Sequence, residues 1–282
     1  MGKRTIPMLL AGLAASLLAA CVATPRETGT TARRSAGAPA QLLDLADWKL
    51  TLPVDERGGS GGEAAEVETL AGYVHPAYFH GSADGGVIFT AAVDGATTRG
   101  SRYPRSELRE MRNGDEAAWT LSEGGTMTAT LAVNAVPTRG DGRPGRLIVG
   151  QIHGEDEELV RLYYEDGSVH FVNDRAGPDN EETAFALENA RGEQPAIALD
   201  ERFSYLIEAR GNVLAVEVRA DGDIYRSVTR ISDVWQSDRF YFKAGVYLGV
   251  NEETGAGAGR VTFHALDVSH TPGGGRGDLS AL

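Results

Sequence analysis

The stretch Thr126-Met127-Thr128-Ala129-Thr130-Leu131-Ala132-Val133-Asn134-Ala135 decides the fold. Met127, Ala129, Leu131, Val133 and Ala135 are interleaved with Thr126, Thr128, Thr130 and Asn134, the two-residue period of a strand with one face in a core. Similar runs recur at residues 87–93, 159–164, 169–172, 205–209, 213–218, 240–248 and 261–268. Gly211-Asn212 and Asp221-Gly222-Asp223 supply hairpin turns between the later runs. The chain is therefore expected to be all-β, an antiparallel β-sandwich or β-jelly roll with a concave substrate groove. Helices should be short, at residues 63–70 or 231–236. No segment repeats at a fixed period, which counts against a propeller or a parallel β-helix.

Composition bounds the rest. Of 282 residues, 41% are hydrophobic and 24% charged, which suits a packed core and gives no support to a disordered or collagen-like chain. Lys plus Arg is 27 against 40 Asp plus Glu, a net charge of −13 that argues against nucleic acid or anionic lipid as a partner. A polyanionic ligand would need a local basic groove. The six histidines show no His-Glu-x-x-His spacing, and the Asp221-Gly222-Asp223 turn lacks the rest of a calcium loop, so neither metal nor cofactor is expected. Gly58-Gly59-Ser60-Gly61-Gly62 has no following Lys-Ser/Thr and reads as a flexible loop, placed to act as a lid.

Lys3 and Arg4 precede an apolar run at 6–20 that is short for a membrane span and suited to a signal-peptide core. The run ends in Leu18-Ala19-Ala20-Cys21, which resembles the lipobox of bacterial lipoproteins and explains the single cysteine as a lipidation site. Val22 stands where inner-membrane retention signals place Asp, so the anchor is expected at the outer membrane, on its periplasmic side or at the cell surface; cleavage without lipidation would give a secreted protein. The layout is then 1–20 leader, 21–40 tether, 41–270 β domain and 271–282 frayed tail. About 230 residues suit one large β domain. A monomer is expected, touching the membrane through its anchor only.

Three strands carry chemically specific polar groups where solvated Thr, Ser or Lys would be ordinary. Arg105, Glu107 and Arg109 share a face, as do Gln151 and His153, with Ile148 and Ile152 turned the other way. In the third strand Tyr241, Lys243, Gly245 and Tyr247 lie opposite Phe240, Phe242, Ala244, Val246 and Leu248. Gly245 is expected to leave room for a ligand near the backbone. Singly, these residues read as an ion-pair ladder, a satisfied histidine and a rim tyrosine. Together they are the groups needed to remove a proton next to a carboxylate.

Arg105-Ser106-Glu107-Leu108-Arg109-Glu110, Gln151-Ile152-His153 and Tyr241-Phe242-Lys243-Ala244-Gly245-Val246-Tyr247 resemble, in that order, the three signature segments of alginate lyases of polysaccharide lyase family 7. Trp48-Lys49-Leu50-Thr51-Leu52-Pro53 looks like the family's opening strand. One departure stands out: the third segment usually reaches a glutamine two positions after its last tyrosine, and here that position is Gly249. The resemblance implies cleavage of alginate, a 1,4-linked chain of mannuronate and guluronate, by β-elimination. It implies Arg109 and Gln151 neutralising the sugar carboxylate, His153 as base and Tyr247 as acid, with Arg105, Glu107, Lys243 and Tyr241 binding substrate. Both arginines face the same way, so which one holds the carboxylate stays open. In the family, Ile between Gln and His accompanies activity on guluronate-containing blocks, and Ile152 points that way.

Other readings compete. A jelly-roll glycoside hydrolase needs two carboxylates about 5 to 10 Å apart. The nearest acidic run, Glu155-Asp156-Glu157-Glu158, lacks the alternating pattern of such enzymes and reads as a solvated loop. A lipid-anchored, non-catalytic carbohydrate-binding module would have no need of His153 with Tyr247. A glucuronan-type lyase would share the chemistry and differ in substrate.

Overall fold

Met127, Leu131 and Val133 are fully buried, and Ala129 nearly so, on a strand that runs Gly125–Ala135. The alternation read from the sequence is thus the alternation of a sheet with one face in the core. The computed structural model describes residues 37–270. The leader, Cys21, nearly all of the tether and the tail from 271, with its Arg276-Gly277-Asp278, lie outside the described residues.

In chain order the strands are β1 (Trp48–Thr51), β2 (Glu66–Val67), β3 (Phe79–Gly81), β4 (Val87–Ala92), β5 (Arg105–Arg112), β6 (Asp115–Glu116), β7 (Gly125–Ala135), β8 (Thr138–Arg139) and β9 (Leu147–His153). They continue as β10 (Glu158–Glu165), β11 (Ser168–Asn173), β12 (Thr183–Ala186), β13 (Arg202–Arg210), β14 (Val213–Ala220), β15 (Asp223–Arg230), β16 (Tyr241–Leu248), β17 (Gly255–Ala256) and β18 (Ala258–Ser269). A nine-stranded sheet has the order β12-β11-β10-β9-β16-β5-β1-β2, with β6 paired to β5. A seven-stranded sheet has the order β15-β14-β13-β7-β18-β4-β3. All pairings between these strands are antiparallel, and neighbours such as β5 and β16 are far apart in sequence, as a jelly roll requires.

The core lies between the two sheets. Phe242, Ala244, Val246 and Leu248 of β16 are fully buried, together with Phe89 of β4 and Phe263 of β18. Phe79, Phe89 and Phe263 meet edge to face at 5.1 and 5.3 Å. Each fully buried side chain of this size contributes about 1.5–3 kcal/mol. Trp119 packs on Phe240 and Phe242 at 5.2 and 5.1 Å. Its indole N–H donates to the buried Glu110 carboxylate, which satisfies the one polar atom that burial would otherwise strand.

The turns form where expected. Gly211 has φ 59, and Asp221 and Gly222 have φ 53 and 76, the left-handed conformations of tight hairpins. Helix is confined to 3-10 turns at Pro39–Gln41, Pro178–Asn180 and Asp233–Trp235 among the described residues. The helix expected at 63–70 is absent: Glu66 and Val67 pair with Thr51 and Leu50 as an edge strand.

Candidate active site

The polar residues of β5, β9 and β16 become neighbours through register. Lys49 pairs with Arg109, Arg109 with Lys243, Lys243 with Gln151 and Gln151 with Arg161, so one row of four cations and an amide crosses five strands. Thr51, Glu107 and Gly245 form the next row. Arg105, Tyr247, Ile148, Tyr163 and His170 form the one beyond. The opposite face of these strands fills the core, so the rows lie on the outer face of the nine-stranded sheet.

Glu107 is the electrostatic centre. It is 1% exposed, and its carboxylate takes Gln151 Nε2 at 2.5 Å, Arg105 Nη1 at 3.0 Å and Lys243 Nζ at 3.0 Å. Burial opposes its charge, but Lys243 and Arg105 prevail and hold the carboxyl below the usual range. One carboxylate between two cations cannot satisfy both fully. Burial, with Arg105 beside it, draws the Lys243 ammonium down to about 8. Removing Glu107 would strand two buried cations, at a cost of about 3–5 kcal/mol.

On one side of this centre stands His153. Its Nδ1 lies 2.6 Å from the Gly154 carbonyl, which can only accept, so Nδ1 carries the proton and Nε2 keeps its lone pair. Burial, reinforced by Lys243, lowers the imidazole to about 4. The ring stacks on Tyr241 at 4.9 Å and 12°. Arg109 covers Tyr241, 3.8 Å from the ring centre, and reaches Glu116 at 2.8 Å. Desolvation pushes the Tyr241 phenol up to about 12 despite that guanidinium.

On the other side stands Tyr247. Arg105 lies 3.7 Å from its ring centre. Ser101 Oγ lies 2.9 Å from the phenol oxygen and 3.0 Å from the Tyr103 carbonyl. The serine hydrogen goes to that carbonyl, so the Tyr247 hydroxyl donates to Ser101 and holds its proton in a defined direction.

All eight residues singled out from the sequence thus share one face, though not at one depth. Gln151 and Glu107, expected to touch substrate, lie beneath the surface: Gln151 is fully buried, its amide nitrogen is engaged by Glu107, and its carbonyl oxygen has no partner. Two further expectations are corrected. Ile148 does not turn away but joins Tyr163, Val172 and Tyr247 on the outer face. The cause is a β-bulge: Gly150 pairs with Leu162 and Ile148 with Tyr163, which skips Val149 and shifts the alternation by one. A Cβ on Gly150 would strike the Tyr205 hydroxyl at 2.7 Å, so only glycine permits it. Gly245 likewise makes no room for ligand. Its φ is 143, and a Cβ would meet the Ser106 carbonyl oxygen at 2.5 Å.

Sequence reasoning missed several neighbours. Glu158, read as part of a solvated loop, opens β10 opposite His153, with Oε1 3.5 Å from Nε2. Lys49 is buried and bonded to Glu66 and Glu116 at 2.8 and 2.7 Å. Ser101 and Glu158 carry no spacing signal, because both reach the site from strands or loops paired across the sheet. Gly61 and Gly62, at the end of the glycine-rich loop, line a hollow of about 1090 Å³ with Arg57 and Arg99, and Asp55 ties the loop down by accepting the Arg57 and Gly59 N–H groups. Among the described residues no three His, Cys, Asp or Glu gather as metal ligands.

Comparison with known proteins follows the same lines. A family model described as alginate lyase matches residues 43–270. An alginate lyase of Klebsiella pneumoniae is 35% identical, over 84% of this chain and 93% of that one. The crystal structure of the alginate lyase from Klebsiella pneumoniae superposes with a TM-score of 0.73 at 32% identity, covering 84% of this chain and 99% of that one. Alginate lyase A1-II′, a member of polysaccharide lyase family 7, superposes at 0.66 with 28% identity, covering 83% and 99%. The face built around Glu107, carried on this fold and matched over this length, makes the chain an alginate lyase, a member of polysaccharide lyase family 7.

Proposed function

We propose that the enzyme cleaves guluronate-containing alginate with His153 as base and Tyr247 as acid, and that Arg105 is the guanidinium closest to the reacting carboxylate. The observation that carries this reading is the His153 tautomer: with Nδ1–H given to Gly154, the Nε2 lone pair is free to take a proton. The C5–H bond breaks and its proton passes to Nε2. The electron pair forms the C4–C5 double bond, the C4–O4 bond breaks, and the Tyr247 proton goes to the departing oxygen. No water is consumed.

Abstraction at C5 pushes charge onto a carboxylate that is already negative, so cations must stand there before the proton moves. Arg105 supports this assignment by standing next to Tyr247, its guanidinium 3.7 Å from the ring centre. Arg109 is held over Tyr241 and against Glu116, a place better suited to a neighbouring sugar. Once protonated, Nε2–H of His153 faces the Glu158 carboxylate, which favours the imidazolium as it forms.

In guluronate the proton and the leaving group lie on opposite faces of the ring, which suits separate base and acid groups. Ile152 supports the same preference, as does the complex of A1-II′ with a substrate denoted GGMG. The test follows absorbance of the new double bond on polyguluronate, polymannuronate and glucuronan. We expect the fastest rise on polyguluronate, and a drop of about 10³-fold for His153→Ala. A faster rise on polymannuronate would overturn the preference, and full activity of His153→Ala the assignment of the base. Export rests on the leader and Cys21: the Cys21→Ala protein is expected in the soluble fraction, the parent in membranes.

A further inference from the structure

Beyond Tyr247 the outer face continues into a second seat of the same construction. Tyr247 packs with Ile148, Tyr163 and Val172, an apolar strip on a face otherwise polar. Tyr163 lies two strands from Tyr247, about 10 Å away at normal strand spacing. Arg146, one residue before β9, places its guanidinium 4.5 Å above the Tyr163 ring, as Arg105 does at 3.7 Å over Tyr247. Arg146 is exposed and, among the described residues, has no carboxylate partner.

Gly249 makes this possible. A Cβ there would lie 2.6 Å from Arg146 Cγ and 3.2 Å from Nε, so any larger residue pushes the arginine off the tyrosine. The Gly249 N–H donates to the Arg146 carbonyl at 3.0 Å and keeps the two segments in contact. A hollow of about 550 Å³ opens here, lined by Arg146, Gly249, Arg139 and Tyr103, whose ring meets Tyr247 edge-on at 6.4 Å. Two carboxylates also line it. Asp141 is clasped by Arg143 at 2.7 and 2.9 Å, and Glu165 lies 3.8 Å from His170.

We propose that Arg146, seated on Tyr163 over Gly249, binds the carboxylate of a further uronate of the polymer and so extends the groove past Tyr247. The inference rests on the placement of Tyr247 at the cleavage point. Arg146 lies on the buried Tyr163 ring and is steadied by it, and a guanidinium held this way with an exposed edge matches the carboxylate of a uronate through parallel N–H groups. Its position off the reacting sugar predicts an effect on affinity for long chains and none on the chemical step.

The experiment measures kcat and KM of the full-length enzyme on guluronate oligomers from trimer to hexamer. For Arg146→Ala we expect the hexamer KM to rise about tenfold with kcat nearly unchanged, and the trimer to be turned over as by the parent. Arg146→Lys should recover part of the loss, and Gly249→Ala should reproduce it by displacing the arginine. An unchanged hexamer KM, or an equal loss at every length, overturns the proposal. If Tyr247→Phe retains full activity, the assignment of the cleavage point fails instead, so the two failures are distinguishable.

Discussion

Two arginine–tyrosine stacks flank Glu107, and they differ in what surrounds them. Arg105 over Tyr247 keeps 10% of its side chain exposed and is bonded to the buried Glu107, while Arg109 over Tyr241 keeps 24% exposed and answers to the half-exposed Glu116. The Tyr247 hydroxyl is directed by Ser101; the Tyr241 ring is clamped between a guanidinium and an imidazole. The same pair of residue types therefore does two jobs. Where the hydroxyl is directed by a serine, the stack sets a phenol beside a cation, the arrangement the proposed acid requires. Where the ring face is covered on both sides, it is a platform that fixes the orientation of His153.

The sharpest break of that comparison is to remove each hydroxyl in turn. Tyr247→Phe should lower kcat about 10³-fold, the scale of losing a general acid. Tyr241→Phe keeps the stack and should stay within about twofold, the usual range for a change that breaks no bond. Steady-state rates on polyguluronate decide it, and equal losses would mean the two stacks are functionally alike.

A smaller difference is expected between the arginines. Arg105→Ala removes the cation proposed to face the reacting sugar and leaves Glu107 with one fewer partner, so kcat should fall about 10²-fold. Arg109→Ala loses a more exposed contact and should raise KM about tenfold with less effect on kcat. The opposite order, measured on one polymer, would move the carboxylate to the Tyr241 side.

The smallest effect is a shift along the pH axis. His153, lowered to about 4, is neutral and able to accept a proton from pH 5 upward, so the acid limb of kcat/KM should lie near pH 4. Lys243, drawn down to about 8, is charged below that pH and loses its charge above it, so affinity for the anionic chain should fall on the alkaline side. Lys243→Arg keeps the charge and should carry the alkaline limb upward by about one unit or more. An alkaline limb that stays in place would remove Lys243 from the substrate's field. For stability the sign is the same at both acid-sensitive groups. Glu107 and His153 are each lowered in the folded state, so the protein binds fewer protons folded than unfolded and loses stability as pH falls.

Much of this was legible in the residues themselves. Period-two alternation in β7 and β16 set which side chains face the core, because successive Cβ atoms must point oppositely in any extended chain. The reactive groups could be named because few side chains accept or donate protons near neutrality or clasp a carboxylate. Hairpins at Gly211 and Asp221 followed from residues that tolerate positive φ.

What only the tertiary structure decided was which rows those residues form. Arg109, Lys243 and Gln151 meet through ladders joining strands more than 90 residues apart, and no local period encodes that register. The bulge at Gly150 put Ile148 on the outer face, and the same packing sank Gln151 and Glu107 beneath it. Pairing between distant strands is chosen by the fit of two whole sheets in one core, so depth and register appear only when that core is complete.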